Sequence, residues 1–165
     1  MRVRWHLPAA MAAVTLTALL ASPQASAAEP PEPSFQIYNT ENNCVDGNNP
    51  NGAYIWDCQS VANQYWHLDW TASGFFAIRN AKTDRCLRAA GTFPGPVVTG
   101  ACDGSKYTLW RNDGRPEGDG WQFLRNAEWQ AFLGSLNAPS TANGSGVTLD
   151  YPNAPQWPTN VWAFR

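Results

Sequence analysis

Short runs of alternating hydrophobic and polar residues cover the chain from Phe35 to its end. No part of this region keeps a hydrophobic period of 3.6 residues over three helical turns. Glycine, proline and asparagine interrupt it every few residues, as is typical of short strands joined by turns. The pattern therefore predicts an all-β protein with many short strands.

These runs recur as three copies of one unit. Each copy opens with a strand that closes on asparagine and ends on a tryptophan segment: Phe35–Asn39 and Tyr65–Leu68, Phe76–Asn80 and Leu109–Asn112, Gln122–Asn126 and Val161–Phe164. Three copies of about four strands each close into a barrel capped by hairpins, which removes most exposed strand edges. In such a barrel the closing tryptophans, Trp66, Trp110 and Trp162, belong to the core.

The cysteines support the same alignment. They fall at matching positions of the first two copies: Cys44 and Cys58, then Cys86 and Cys102. The third copy has Phe132 and Pro152 at these positions, so both members of the pair are missing together, as expected of bonded partners. We predict two disulfides, Cys44–Cys58 and Cys86–Cys102, each contributing about 3 kcal/mol in the chain-entropy model. Zinc binding is the competing interpretation, but the spacings are far from Cys-x-x-Cys, and no metal or cofactor is expected.

The N-terminal residues have the pattern of a secretory signal peptide. Arg2 and Arg4 precede an uncharged stretch rich in alanine, leucine and valine, and Ala25-Ser26-Ala27 is a small-x-small cleavage pattern. The apolar stretch is short for a bilayer and no second one follows, so a membrane anchor is the weaker alternative and membrane insertion is not expected. We predict a signal peptide over residues 1–27, a short disordered lead over 28–34, a single domain over 35–165, and secretion to the extracellular space.

Charge and motifs exclude several functions. The formal net charge is −2, and removal of the leader with its two arginines makes it more negative, so nucleic acid is not an expected partner. The mature chain has one histidine, and it lacks the Gly-x-Ser-x-Gly and His-Glu-x-x-His patterns. No catalytic residue is predicted, although a pair of glycosidase carboxylates would leave no motif in the sequence.

The first copy contains three motifs in order: Cys44-Val45-Asp46, Ile55-Trp56-Asp57-Cys58 and Asn63-Gln64-Tyr65-Trp66. With these motifs it resembles the unit of the ricin B-type lectins, the R-type lectin family. The resemblance extends over roughly residues 35–165 and implies a β-trefoil of about twelve strands. It also implies that the protein binds a galactose-like or other carbohydrate. The carbohydrate-binding residues it implies are Asp46, Tyr54, Trp56, Asn63 and Gln64.

These residue types suit a sugar. A pyranose has a face of polarised C–H groups that packs on an indole, and a rim of hydroxyls that need donors and acceptors. Trp56 is the predicted platform, Asp46 the acceptor for two hydroxyls, and Asn63 both donor and acceptor, with Gln64 in support. Tyr54 stands where the family often has glutamine, and either adds a stacking surface or fills space. The structural alternative for Asp46 is a turn, because Asp46-Gly47 is also a turn signal.

The other two copies do not preserve this set. The carboxylate and aromatic positions are Arg88 and Gly100 in the second copy, and Gly134 and Asp150 in the third. The Asn-Gln pair is replaced by Tyr107-Thr108 and by Thr159-Asn160. We therefore expect one working site, in the first copy, with a displaced site at Asp150 as the alternative.

A protein-interaction module is the rival function. Trefoils of this family also serve as accessory or targeting subunits of toxins, resembling those of the cytolethal distending type. Four tryptophans of the mature chain are required neither for the core positions nor for the predicted platform: Trp70, Trp121, Trp129 and Trp157. An exposed aromatic surface among them favours a protein partner, whereas burial indicates packing.

Overall fold

Twelve β-strands and one short 3₁₀ helix lie in the part of the chain that the computed structural model describes, residues 32–49, 52–114, 120–135, 143–151 and 161–165. The strands are β1 (Phe35–Tyr38), β2 (Asn43–Asp46), β3 (Tyr54–Asp57), β4 (Tyr65–Trp70), β5 (Phe76–Asn80), β6 (Cys86–Ala89), β7 (Val97–Gly100), β8 (Leu109–Asn112), β9 (Leu124–Asn126), β10 (Phe132–Ser135), β11 (Val147–Asp150) and β12 (Ala163–Phe164). The 3₁₀ helix covers Ala62–Gln64. No helix among these residues is long and apolar enough to cross a membrane.

Six strands, two from each copy, form a barrel. Antiparallel pairing runs from β12 through β1, β4, β5 and β8 to β9. The ring closes where Gln122 and Trp162 exchange two backbone hydrogen bonds of 2.8 and 3.0 Å. The other six strands form one hairpin per copy: β2–β3, β6–β7 and β10–β11. This confirms the predicted β-trefoil of three four-stranded repeats.

The closing tryptophans make the same contact in all three repeats. Trp66, Trp110 and Trp162 are fully buried. Each donates its indole N–H to a carbonyl of its repeat's hairpin: Val45 at 3.0 Å, Leu87 at 3.1 Å and Leu133 at 2.9 Å. Their assignment to the core is confirmed, and the bond joins barrel to hairpin three times over.

A buried asparagine organises the turn after the first strand of each repeat. In the second repeat the side-chain oxygen of Asn80 accepts the backbone N–H groups of Lys82 and Thr83, both at 3.1 Å. Asn126 accepts the equivalent pair, and Asn39 accepts the backbone N–H groups of Glu41 and Asn43. Each turn also holds one residue with positive φ: Asn42 (63°), Asp84 (55°) and Gln130 (53°). These turns fix where each hairpin begins.

The three hairpins meet at one end of the barrel through backbone hydrogen bonds. Ala53 N–H donates to the carbonyl of Val97 at 3.0 Å, and Val147 N–H donates to the carbonyl of Ala53 at 2.9 Å. Leu149 N–H donates to the carbonyl of Gly95 at 3.0 Å. As a result, residues of the second and third repeats lie against the hairpin that carries the predicted site.

The structure differs from the sequence-based boundaries in two of the three opening strands. β1 ends at Tyr38 rather than at Asn39. The predicted strand Gln122–Asn126 is shorter, because β9 begins at Leu124 and Gln122 forms only an isolated bridge. The disulfides join Cys44 to Cys58 and Cys86 to Cys102, the pairs expected from the repeat alignment. The predicted signal peptide, residues 1–27, lies outside the described residues. Of the lead, Glu32–Ser34 is described, and Glu32 lies 2.6 Å from the guanidinium of Arg79.

Candidate functional site

The residues predicted to bind sugar line one shallow depression of about 240 Å³ beside the hairpin β2–β3: Asp46, Tyr54, Trp56, Asn63 and Gln64, with Gln59 and Val61 in addition. Asp46 is the last residue of β2 and pairs across the hairpin with Tyr54. Trp56 lies on the same face of β3 as Tyr54, because alternate side chains of a strand share a face. The 3₁₀ helix supplies Asn63 and Gln64.

The Asp46 carboxylate is the centre of the polar contacts. Its side chain is only 3% exposed. Oδ2 accepts from the amides of Asn63 at 2.5 Å and Gln64 at 3.4 Å, and Oδ1 accepts from the backbone N–H of Asn48 at 2.9 Å. The same carboxylate acts on the hydroxyl of Tyr54, whose pKa it raises. Three donors therefore bond a group that has about four acceptor positions.

These protein donors change how the site is understood. The sequence suggested that Asp46 accepts hydrogen bonds from two sugar hydroxyls, but protein donors already occupy most of its acceptor positions. In the arrangement seen, Asp46 holds the Asn63 amide in a fixed orientation. Asn63 donates through its nitrogen, which leaves its side-chain oxygen as an acceptor at the edge of the depression.

Tyr54 joins the carboxylate to the aromatic platform. Its ring meets that of Trp56 edge to face, with centroids 6.1 Å apart. Burial first, then the hydrogen bond to Asp46 and its negative charge, raise the pKa of Tyr54 to about 12. Tyr54 is thus a neutral donor over the physiological pH range. The sequence did not predict this bond, because neither residue's type specifies which partner it meets across the hairpin.

Two further residues fix the position of Asn63. Gln64 is buried, donates to the carbonyl of Asp57 at 3.1 Å and accepts from the backbone N–H of Gln59 at 2.7 Å. Gly47 N–H donates to the carbonyl of Asn63 at 2.9 Å. A Cβ on Gly47 would lie 2.7 Å from the ring of Trp66, so no larger residue fits there without a shift. Asp46 and Gly47 therefore both form the turn and hold Asn63 in the depression.

The third repeat supports the Trp56 platform, whose side chain is 39% exposed. Ile55 N–H donates to the carbonyl of Ser145 at 2.8 Å, and Gly144 N–H donates to the carbonyl of Ile55 at 2.9 Å. The side-chain oxygen of Asn143 accepts the backbone N–H of Asp57 at 2.7 Å. Sequence reasoning missed this support, since the partners lie 86 residues apart and no local pattern links them.

In the second repeat, a side chain of the same hairpin fills the position that matches Trp56. Gly100 leaves space opposite Cys86, and the side chain of Arg88 occupies it, since a Cβ on Gly100 would lie 3.0 Å from Arg88 Cδ. The Arg88 guanidinium bonds Asp103 at 2.7 Å and lies 5.3 Å from the ring centre of Tyr107. The second repeat therefore has no carboxylate at the position that matches Asp46 and no aromatic ring at the position that matches Trp56.

The third repeat has its carboxylate on the other strand. Asp150 takes the aromatic position on β11 and leans over Gly134, where a Cβ would lie 2.2 Å from Asp150 Oδ2. Burial raises the pKa of Asp150. No described residue donates a hydrogen bond to the Asp150 carboxylate. The positions Thr159 and Asn160 lie outside the described residues.

The remaining tryptophans differ in exposure. Trp129 is partly buried, donates to the carbonyl of Ala90 at 3.1 Å and stacks on Phe93. Trp121 meets Tyr38 edge to face. Trp70 is 63% exposed at the end of β4, and Trp157 lies outside the described residues.

A barrel of six strands capped by three hairpins, with tryptophan, asparagine and turn geometry repeated three times, defines a β-trefoil. A family model described as "Ricin-type beta-trefoil lectin domain-like" matches residues 62–150, more than half of the 165 residues. The chain therefore belongs to the ricin-type β-trefoil lectin-like family. The matched range includes Asn63 and Gln64 and begins after Asp46, Tyr54 and Trp56.

Solved structures share the fold at low sequence identity. The ricin B-like lectin of Macrolepiota procera, solved with lactose, is 15% identical with a TM-score of 0.70, covering 82% of this chain and 97% of that one. SeviL bound to asialo-GM1 saccharide is 20% identical with a TM-score of 0.62, covering 80% and 95%. The designed three-fold symmetric protein ThreeFoil is 18% identical with a TM-score of 0.67, covering 79% and 96%. No curated protein sequence matches the chain.

Proposed function

We propose that this protein is a secreted carbohydrate-binding module with one sugar site of the family type, in the first repeat, and no catalytic activity of its own. The observation that carries the proposal is the depression in which the exposed indole of Trp56 adjoins the oriented amide of Asn63. A sugar ring packs its C–H face on the indole and presents its hydroxyls to the amide.

Galactose-type sugars are the proposed ligands. Two structurally similar proteins are solved with lactose and with asialo-GM1 saccharide. Asn63 and Gln59 offer both donors and acceptors at the rim of the depression, so the site suits a neutral sugar with several hydroxyls. No cationic side chain lines the depression, so a sugar acid is not the proposed class of ligand.

A pair of exposed tryptophans provides the test. In a glycan array followed by calorimetry with galactose and lactose, Trp56→Ala should weaken binding more than tenfold. Trp70→Ala removes an equally large and more exposed indole that does not line the depression, and should leave affinity unchanged. Equal affinity of the two variants, or binding that survives Trp56→Ala, would contradict the placement of the site. N-terminal sequencing of the exported protein tests secretion, with a start near Ala28 expected.

The exposure of Trp70 favours a second candidate function, a protein-interaction or toxin accessory subunit. Its ring lies 4.7 Å from that of Phe76, which holds the indole in place at the surface. Rigid exposed aromatic residues are common anchors of protein interfaces. If the wild type binds no glycan while a purified partner subunit binds it and Trp70→Ala abolishes that complex, this function replaces the first.

A further inference from the structure

A second and larger cleft, of about 500 Å³, lies on the other side of the Trp56 platform. Tyr54 and Trp56 border both the small depression and this cleft. They therefore form a shared wall between two concave surfaces. The cleft takes its other sides from all three repeats, including Asn48, Pro96 and Gly144.

The third repeat meets the cleft side of the indole through a glycine. Gly144 adopts a φ of +88°, and a Cβ there would lie 3.9 Å from Cζ3 of Trp56. The backbone bonds of Ile55 to Ser145 and Gly144 hold this segment beside the platform. Because glycine has no side chain, a flat ligand can approach Trp56 from the cleft as well as from the depression.

The cleft is lined by both polar and apolar groups. Near the wall, Asn48 is exposed and accepts a hydrogen bond from Lys82 Nζ at 3.0 Å. Gly146 lies across a β-bridge from Tyr54, and with Pro96 and Val147 it also borders a third, mainly apolar depression of about 300 Å³ that reaches Pro94. Three adjoining concave surfaces thus extend from Asp46 across the meeting point of the hairpins.

We propose that this cleft holds further residues of the same glycan, so that the protein binds an oligosaccharide chain rather than a single terminal sugar. The proposal rests on the proposed function, since the first sugar occupies the depression beside Asp46. The next residues pass over Trp56, bond Asn48 and pack their C–H faces toward Pro96. Each added contact strengthens binding, so affinity increases with chain length.

The test is a calorimetric titration with galactose and with β-1,4-linked galactobiose, galactotriose and galactotetraose. Wild-type Kd should fall at least tenfold from galactose to galactotriose. Gly52→Leu narrows the cleft at a glycine where an added Cβ meets no atom within 4 Å, and should remove this gain while keeping the galactose Kd within twofold. Gly91→Leu, at a similarly open glycine that does not border the cleft, should keep both values. Asn48→Ala is a second variant and should reduce the gain.

The outcomes separate this proposal from the proposed function. If galactose binds and the tetrasaccharide binds no more tightly, the cleft proposal is wrong and the sugar site stands. If Gly52→Leu keeps the full gain with chain length, the added residues lie elsewhere and the proposal also fails. If none of the four ligands binds the wild type, the galactose site is wrong and the cleft proposal falls with it.

Discussion

Asp46→Asn is the substitution that examines the centre of the site most directly. It keeps the shape of the side chain but replaces one acceptor oxygen by a donor. Because Asp46 is buried and accepts from Asn63, Gln64 and the N–H of Asn48, the new amide must face at least one protein donor. The structure therefore predicts a clear loss of stability.

The magnitude follows from the contacts. If the remaining oxygen keeps the bond to Asn48, the new nitrogen faces the amide of Asn63 and that bond is lost. A hydrogen bond to a charged group contributes about 1.5–3 kcal/mol, and an unpaired buried donor adds to the cost. We expect the free energy of unfolding to fall by about 2–3 kcal/mol, which lowers Tm by roughly 8 °C for a domain of this size.

The assay combines thermal unfolding with an NMR titration of labelled tyrosine. In the variant the pKa of Tyr54 should fall from about 12 but stay above its ordinary value, because burial is the larger cause. Asp84→Asn is the matched control, since its carboxylate is 84% exposed in a surface ion pair, and it should change the free energy by less than about 1 kcal/mol. An unchanged Tm together with an unchanged Tyr54 pKa would refute the described contacts of Asp46.

Three further predictions concern the core, the third repeat and affinity. Trp66→Phe should cost about 2 kcal/mol in chemical denaturation, because it leaves the buried carbonyl of Val45 without its donor. Asp150→Asn should raise Tm at pH 7: the folded-state pKa of Asp150 is raised by burial, so its ionisation costs stability as pH rises from 3.8 through that pKa. The gain should vanish below pH 3.8, and a gain that persists there would contradict burial as the cause. Galactose alone should bind at roughly millimolar Kd in calorimetry, because one ring on Trp56 and a few hydrogen bonds of about 1 kcal/mol give little affinity; nanomolar binding would be inconsistent with a site this shallow.

The fold was predictable because the residues that determine it recur. Trp66, Trp110 and Trp162 occupy one position in three copies and make one bond, so the repeat alignment located the core. The positive-φ residue of each turn was not predictable. It is Asn42, Asp84 or Gln130, and the requirement comes from the buried asparagine before it rather than from the residue itself.

That the five proposed residues lie together was predictable, but their hydrogen bonding was not. The five residues proposed from the resemblance do line one depression. However, the burial of Asp46 and its bond from Tyr54 depend on the register of the β2–β3 hairpin. The cleft beyond Trp56 depends on Gly144 of the third repeat, and no pattern near either residue reveals that they meet.

The differences among the three repeats explain why the proposed sugar site lies in the first repeat. The buried tryptophan and asparagine positions fix where each hairpin begins, so a change there destabilises the whole barrel. The outward positions of the hairpins have no such constraint, and each repeat uses them differently. In the second repeat Arg88 fills the space beside Gly100 and bonds Asp103, and in the third Asp150 covers the backbone of Gly134. Among the described residues, the hairpin carboxylate of the first repeat is the one that accepts hydrogen bonds from its own repeat, and the exposed indole of Trp56 lies beside it. We therefore expect Arg88→Ala to uncover a surface in the second repeat without creating galactose binding, because Gly100 still provides no ring on which a sugar can stack.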